Sequence, residues 1–455
     1  MMRVGAGGSL SGVMRAVRRN TELGLILLAG LLTVGGYVLA SLGENASLPA
    51  NLMPFLLVIL GLLAAAHLAT RTLAPGADGI LLPLAGVLNG IGYVFIARLD
   101  KNLAGLQAVW TAIGIGAFIG TLAVVRRVRD LERFRYTFAL VGIGLLLMPL
   151  LPGIGENING ARLWVALGPV NFQPGELAKI ALCIFFASYL VEKQQLLSVA
   201  RLRIGPIPFP DLKHYGPLVL AWGASLVVMI FEKDLGSSLL FFAIFIVLLW
   251  VATGRGAYLF IGGVLFAGGS YFTWSAFNHV RERVAIWLNP WPVANEAGFQ
   301  VVQAAFAFAA GGFAGTNLAQ GSPDRIPAVA TDFTFAAIGE ELGLLGTVAI
   351  LVAFLLMVGA GLRIALRAEP PFEKLLAAGL TTILGLQTFI IIGGVTRLVP
   401  LTGITLPFIS YGGSSLLSNY VLLALLLRIS DDQTARAQAQ AEAEAAAMNQ
   451  TRIGA

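Results

Sequence analysis

The chain has 455 residues, of which 57% are hydrophobic and only 12% charged, and its mean hydropathy is +0.83. Soluble domains carry roughly 25% charged residues, so this composition excludes an ordinary soluble fold and indicates an integral membrane protein. The net charge of +6 is scattered at the ends of apolar runs rather than gathered in one patch, which argues for membrane topology and against a nucleic-acid partner.

Apolar runs of roughly 17 to 25 residues cross a bilayer as helices. About twelve are expected, near 22–42, 52–70, 79–97, 106–125, 136–151, 177–192, 216–231, 236–252, 257–276, 336–362, 373–396 and 412–428. The fold class is therefore an all-α polytopic membrane protein. It divides into an N-terminal segment (1–20), a transmembrane domain (21–430) and an Ala/Gln/Glu-rich tail (431–455) to which no chemistry is assigned. The first apolar run follows basic residues as a secretory signal would. It is too long for a signal core and many spans follow it, so it reads as a retained helix. With the N-terminus inside, 21 of the 30 lysines and arginines fall on the inner side. Both termini are then cytoplasmic, and the longest outer loops are 152–176 and 277–335.

Cys183 is the only cysteine, which rules out an intramolecular disulfide and a cysteine-based metal site. His67, His214 and His279 lack ligand spacing and read as packed or solvated side chains. The inner loop 193–216 carries proline breaks and basic residues, suiting an ordinary cytoplasmic connection or a lipid-headgroup contact.

The chemistry is expected in the outer loops. PGIGENINGARLWVALGPVNFQPGE (152–176) alternates turn formers with apolar residues, and Trp164 suits a membrane interface, so the loop is expected to dip into the headgroup layer. In QPGELAK (173–179), Glu176 and Lys179 share a helix face at i, i+3 and can neutralise each other. FEKDLGSSLLFF (231–242) places Glu232, Lys233 and Asp234 in a turn between spans, where charge can simply be hydrated. The 277–335 loop is rich in Trp and Phe and is expected to form interfacial helices lining a groove.

That loop ends in GSPDRIPAVATDFTFAAIGEELG, which carries Asp324, Arg325 and Asp332 to the next span and Glu340 and Glu341 into it. Ionisable groups at such positions are costly and mark candidate functional sites. Asp332 could instead cap the helix N-terminus. If the helix starts there, Glu340 lies roughly 12 Å deeper at about 1.5 Å per residue. Gly339 and Gly343 form a GxxxG pair suited to close packing. In PFISYGGSSLLSNY, Gly412 and Gly413 allow backbone approach while Ser414 and Ser415 supply hydroxyls, although small residues also serve helix packing.

These motifs, in this order, resemble the RodA/FtsW family of shape, elongation, division and sporulation proteins, across residues 80 to 428. FEKDLG and GGVTRLVPLTG look more like RodA-type proteins of actinobacteria than like FtsW. The resemblance implies a core of ten helices, here extended by two N-terminal spans. It implies a peptidoglycan glycosyltransferase of the bacterial cytoplasmic membrane that polymerises lipid II and releases undecaprenyl diphosphate. Asp332 matches the catalytic aspartate, with Thr331 where relatives often carry histidine. QPGELAK stands for the usual QPSEFAK and keeps Glu176 and Lys179, which the resemblance places in a central cavity. Candidate substrate contacts are Glu176, Lys179, Arg162, Gln173, Lys233, Asp234, Arg325, Ser414 and Ser415, with Glu340 and Glu341 in support.

Glycan extension needs a base for the acceptor hydroxyl, assigned to Asp332, and positive charge for the departing diphosphate. Lys179, Arg162, Arg325 or a divalent cation (Mg or Mn) would supply that charge. The resemblance also implies a class B penicillin-binding transpeptidase as partner. A lipid II flippase is the main alternative, and it would survive loss of Asp332; an ion-coupled transporter or a pure scaffold are further ones.

Overall fold

A computed structural model describes the whole chain except residues 1–5, 49–51, 159–160, 168–169, 199, 205–206, 211–222, 225–229, 233 and 454–455. Its long helices are α1 (Ala6–Asn45), α2 (Leu52–Leu73), α3 (Leu81–Leu99), α4 (Lys101–Val124), α5 (Arg135–Leu147) and α6 (Gly175–Ser198). They continue with α7 (Leu235–Thr253), α8 (Gly256–Ala276), α9 (Asn278–Leu288), α10 (Phe299–Gly311), α11 (Thr334–Arg367), α12 (Pro371–Val395) and α13 (Gly413–Ile453).

Nine of the described helices are long and apolar enough to cross a membrane. The expected span 52–70 corresponds to α2, whose apolar stretch Leu57–Leu73 is shorter, and 177–192 lies in α6. The expected span 216–231 falls mostly outside the described residues. The chain is a multi-pass membrane protein.

Sequence chemistry sets the helix ends. Asp100 accepts from the backbone N–H of Asn102 (2.8 Å) and Leu103 (3.2 Å) and so starts α4. Gly254, at φ 67°, ends α7 in the left-handed conformation. α12 and α13 are mostly buried and form the centre. α13 packs along α4, α1 along α3, α5 along α6, and α11 along α12.

Two features depart from the sequence reading. The 152–176 loop folds into an antiparallel sheet of β1 (Gly155–Ile158), β2 (Ala161–Leu167) and β3 (Val170–Phe172), with Trp164 opposite Glu156. A hairpin, β4 (Ala200–Ile204) and β5 (Ile207–Pro210), occupies part of the loop expected at 193–216. The tail from residue 431 is helical and continues α13. Its first turns are docked: Asp431 accepts from Gly76 N–H at 2.7 Å, Thr434 donates to Gly76 O at 2.8 Å, and Arg436 pairs with Glu373. The boundary placed at residue 20 likewise falls inside a helix, where buried Arg19 pairs with Glu22, and Glu22 also meets His67 Nδ1 at 2.8 Å.

α11 is interrupted at Gly343 (φ 64°, ψ −162°), a conformation that only glycine adopts without strain. The GxxxG segment packs against α10, where Phe308 stands over Gly339 and Gly311 over the carbonyl of Gly339. The 277–335 loop contains two helices, α9 and α10, as its aromatic content suggested.

Candidate active site

Asp332 sits in the turn between α10 and α11, half-buried. α11 begins two residues later, with Phe333 at the capping position and no side-chain cap bond, so Asp332 is not the helix cap. The turn holding it is fixed from two sides. Tyr411 N–H donates to Ala330 O at 2.8 Å, and the Thr334 hydroxyl bonds Ala330 O at 2.9 Å and lies 3.2 Å from Ser410 Oγ. Facing the carboxylate is Gly403 (φ 77°), where a Cβ would stand 3.7 Å from Asp332 Oδ2.

Two charged side chains share this end of the bundle. Asp234 caps α7, accepting from Ser237 N–H at 3.0 Å and from the Ser237 hydroxyl. Arg283, on α9, donates to Leu401 O at 3.0 Å, which ties α9 to the 401–405 loop that carries Gly403. Trp287 Nε1 donates to Arg397 O at 3.1 Å, and Arg397 returns a bond to Trp287 O at 3.1 Å. With a further bond from Arg397 to Leu288 O at 3.3 Å, four hydrogen bonds clamp α9 on the 396–403 segment.

Burial pushes the Asp332 carboxyl up to about 6, against the Thr331 hydroxyl and the Arg283 charge, which pull it down, and with Asp234, which pushes it up. Burial also raises Asp234, whose Ser237 bonds and Arg283 oppose the rise. Burial thus moves this carboxyl up toward the range in which a general base can work. Removing Asp234 takes away an anion that raises Asp332. Asp234→Asn, which keeps the cap, is expected to move the acidic limb of the pH–rate profile to lower pH, because Asp332 then stays ionised further down. An unmoved limb in initial rates between pH 4.5 and 8 would assign the titration to another group.

Below the 401–405 loop lies a buried polar chain. Glu176 Oε2 meets Lys179 Nζ at 2.8 Å; Lys179 also donates to Gln387 Oε1 at 2.9 Å, and Gln387 Nε2 donates to Thr405 O at 3.0 Å. Ser418 Oγ donates to Glu176 Oε2 at 3.1 Å. Ser415 accepts from Asn419 Nδ2 at 3.3 Å, and Ser414 Oγ accepts from Gln173 N–H at 2.8 Å. Thr405 is two residues from Gly403, so this chain anchors the loop that faces Asp332.

The other sequence candidates are placed differently. Arg162, on β2, and Arg325 are exposed. Lys233 lies outside the described residues. Glu340 Oε1 accepts from Ser322 N–H at 2.8 Å, and Glu341 Oε2 accepts from Ala319 N–H at 2.9 Å while its other oxygen lies 3.3 Å from Arg98 Nε. Both glutamates therefore hold the 315–322 segment to α11. Glutamine can still accept from Ser322, so Glu340→Gln is expected to reduce activity less than tenfold, far less than Asp332→Asn. The reverse ranking in initial rates would defeat this assignment.

Arg283 and Gln387 were missed in the sequence. Gln387 had a usable signal, a lone amide in the apolar run LGLQTFIII. Arg283 had a weaker one, at i−4 from Trp287 on a short amphipathic helix. Among the described residues no three His, Cys, Asp or Glu side chains converge on a metal-sized site.

A cavity of about 540 Å³ opens beside the cluster. Its walls are mostly apolar, with Leu239, Phe242, Phe266, Trp274 and Phe389 prominent, and Arg283 and Thr402 stand among its lining residues. A ligand pocket of this size takes a chain of apolar groups with a few polar contacts.

A raised carboxyl, a guanidinium and, beside the guanidinium, an apolar cavity therefore lie together at one end of a multi-pass helical bundle. The model of the FtsW/RodA/SpoVE cell cycle protein family matches residues 93–435, and the chain belongs to this family. Peptidoglycan glycosyltransferase RodA of Mycobacterium tuberculosis is 43% identical over 424 residues, covering 91% of this chain and 90% of the relative. A chain solved within a peptidoglycan synthase complex that coordinates polymerization and crosslinking is similar at TM-score 0.65 and 28% identity. It is covered to 98%, against 78% of this chain. The rod shape determining protein RodA of Thermus thermophilus matches at TM-score 0.55 and 26% identity, with 78% of this chain and 97% of that chain covered.

Proposed function

We propose that the chain is a peptidoglycan glycosyltransferase that polymerises lipid II at the outer face of the bacterial cytoplasmic membrane, with Asp332 as its general base. The observation that carries the assignment of Asp332 is its position: a half-buried carboxyl raised to about 6, within the field of the Arg283 charge, facing the Gly403 backbone, with Arg283 in turn lining an apolar cavity. Asp332 takes the proton from the 4-hydroxyl of the acceptor GlcNAc as that oxygen attacks the anomeric carbon of the donor muramyl sugar. The new C–O bond forms as the bond from that carbon to the diphosphate oxygen breaks, and the electron pair leaves with undecaprenyl diphosphate. An α-linked donor gives a β-1,4 product, so the reaction inverts configuration.

Arg283 supplies positive charge to the leaving diphosphate, and the cavity beside it takes the first part of the prenyl chain. Glu176, Lys179 and Gln387 act one layer back by holding the 401–405 loop. The excess of basic residues on the opposite end supports placing Asp332 outside. The relative found in a synthase complex supports a crosslinking partner, for which a class B penicillin-binding transpeptidase is our assignment.

The test incubates the purified chain with lipid II and follows polymer and undecaprenyl diphosphate together. One diphosphate per sugar bond is expected, and Arg283→Gln should slow both by about 10²-fold, the scale of losing one charge-stabilising donor. Translocation of lipid II in vesicles without any polymer would replace this reading by a flippase.

A further inference from the structure

α1 and α2 precede the residues matched by the family model, yet the end of α1 reaches the segment that leads to Asp332. Gln320 Nε2 donates to Gly43 O at 2.9 Å. A Cβ at Gly43 would overlap the carbonyl oxygen of Leu318 and stand 3.4 Å from the Ala319 Cβ, so only glycine lets the two backbones meet. The 315–322 segment it touches is strained. Asn317 (φ 77°) and Ala319 (φ 61°) are both left-handed without being glycine, and such residues persist only where their surroundings fix them.

Those surroundings are on the page. Thr316 N–H and its hydroxyl bond Glu340 O at 2.9 and 3.1 Å. The Glu341 and Glu340 carboxylates take the N–H groups of Ala319 and Ser322, and Arg98 Nη2 donates to Gly321 O at 3.1 Å. α11, α3 and α1 thus grip one short segment from three directions. From Ser322 the chain runs through a single turn, Pro323–Arg325, and a left-handed Ala328 (φ 55°). Ala328 O then accepts from the N–H of both Thr331 and Asp332, at 3.1 and 3.0 Å.

We infer that the end of α1 is a positioning element for the reaction, with Gly43 and Gln320 seating the 315–322 segment so that the turn carrying Asp332 is held against Gly403. This assignment rests on Asp332 being the base. Its physical content is separate: loosening the α1 contact must loosen the Asp332 turn. A helix that served only as a membrane anchor would show no such coupling.

The experiment uses the full chain and two substitutions at one position, with Gly43→Ala as a second route to the same contact. Gln320→Glu keeps the size of the side chain and removes the donor; Gln320→Lys keeps a donor. Hydrogen–deuterium exchange of peptides covering 315–322 and 326–334 is read alongside kcat and KM for lipid II and the thermal midpoint.

The expected result is faster exchange in both segments for Gln320→Glu and Gly43→Ala. kcat should fall by three- to tenfold at unchanged KM and thermal midpoint, and Gln320→Lys should be close to wild type. Exchange that rises only in 315–322, or not at all, would overturn the inference even if the wild type makes polymer normally. A loss of kcat that tracks a lowered thermal midpoint would overturn it as well, because the effect would then be on folding. If the wild type makes no polymer, the enzymatic reading fails, and the exchange data still decide whether α1 controls the Asp332 turn.

Discussion

Asp332→Asn is expected to reduce glycan polymerisation by about 10²- to 10⁴-fold, the usual contribution of a positioned general base. Asparagine has the same shape and cannot take the proton. The substitution should leave the fold alone, because Asp332 caps no helix and its turn is held by backbone bonds from Tyr411 and by Thr334. Initial rates at matched thermal midpoints measure the effect. The wild-type rate should rise with pH through about 6 as the carboxylate ionises, then level off. The residual rate of the asparagine variant should lose that limb.

The second large effect is on stability. Lys179→Met leaves the Glu176 carboxylate, only 6% exposed, with the Ser418 hydroxyl but without its cation. Removing one member of a buried ion pair costs about 3–5 kcal/mol, because the remaining charge is neither solvated nor neutralised. Glu176→Gln combined with Lys179→Met should recover most of that loss, and the four-way comparison of unfolding free energies measures the coupling. Activity should fall in the single variant as well. Without Lys179, Gln387 loses one partner, and Gln387 is what ties Thr405, and so the loop facing Asp332, to α12. A single variant as stable as the wild type would show that the pair is hydrated.

The multi-pass helical character could be read from the sequence because a long apolar run has few alternatives in a bilayer, and nine of the about twelve expected spans have helices long and apolar enough among the described residues. Asp332 was visible for the same reason, since a carboxylate at the mouth of such a run needs an explanation. The Glu176–Lys179 pair followed from i, i+3 spacing on a helix. Arg283 was not visible, because its place beside Asp332 and Asp234 comes from α9 folding back on the 396–403 loop, a contact between distant segments that no local pattern encodes. The break at Gly343 was masked by the same glycine's fit to a packing motif. The small sheet at 155–172 did leave a trace, since Asn159–Gly160 stands between Ile158 and Ala161, which pair across β1 and β2, and Asn-Gly is a strong hairpin signal. Its apolar residues read instead as contacts with the headgroup layer. The roles of Glu340 and Glu341 were half legible: support was expected, but their attachment to Ser322 and Ala319 depends on the path of the 315–322 segment.

The most direct measurement is polymer formation from purified lipid II by the wild-type chain and by Asp332→Asn at matched folding, with the cognate transpeptidase added. The account predicts glycan polymer and released undecaprenyl diphosphate from the wild type, and both slowed by about 10²- to 10⁴-fold in the variant. Equal polymer from both would remove Asp332 from the chemistry.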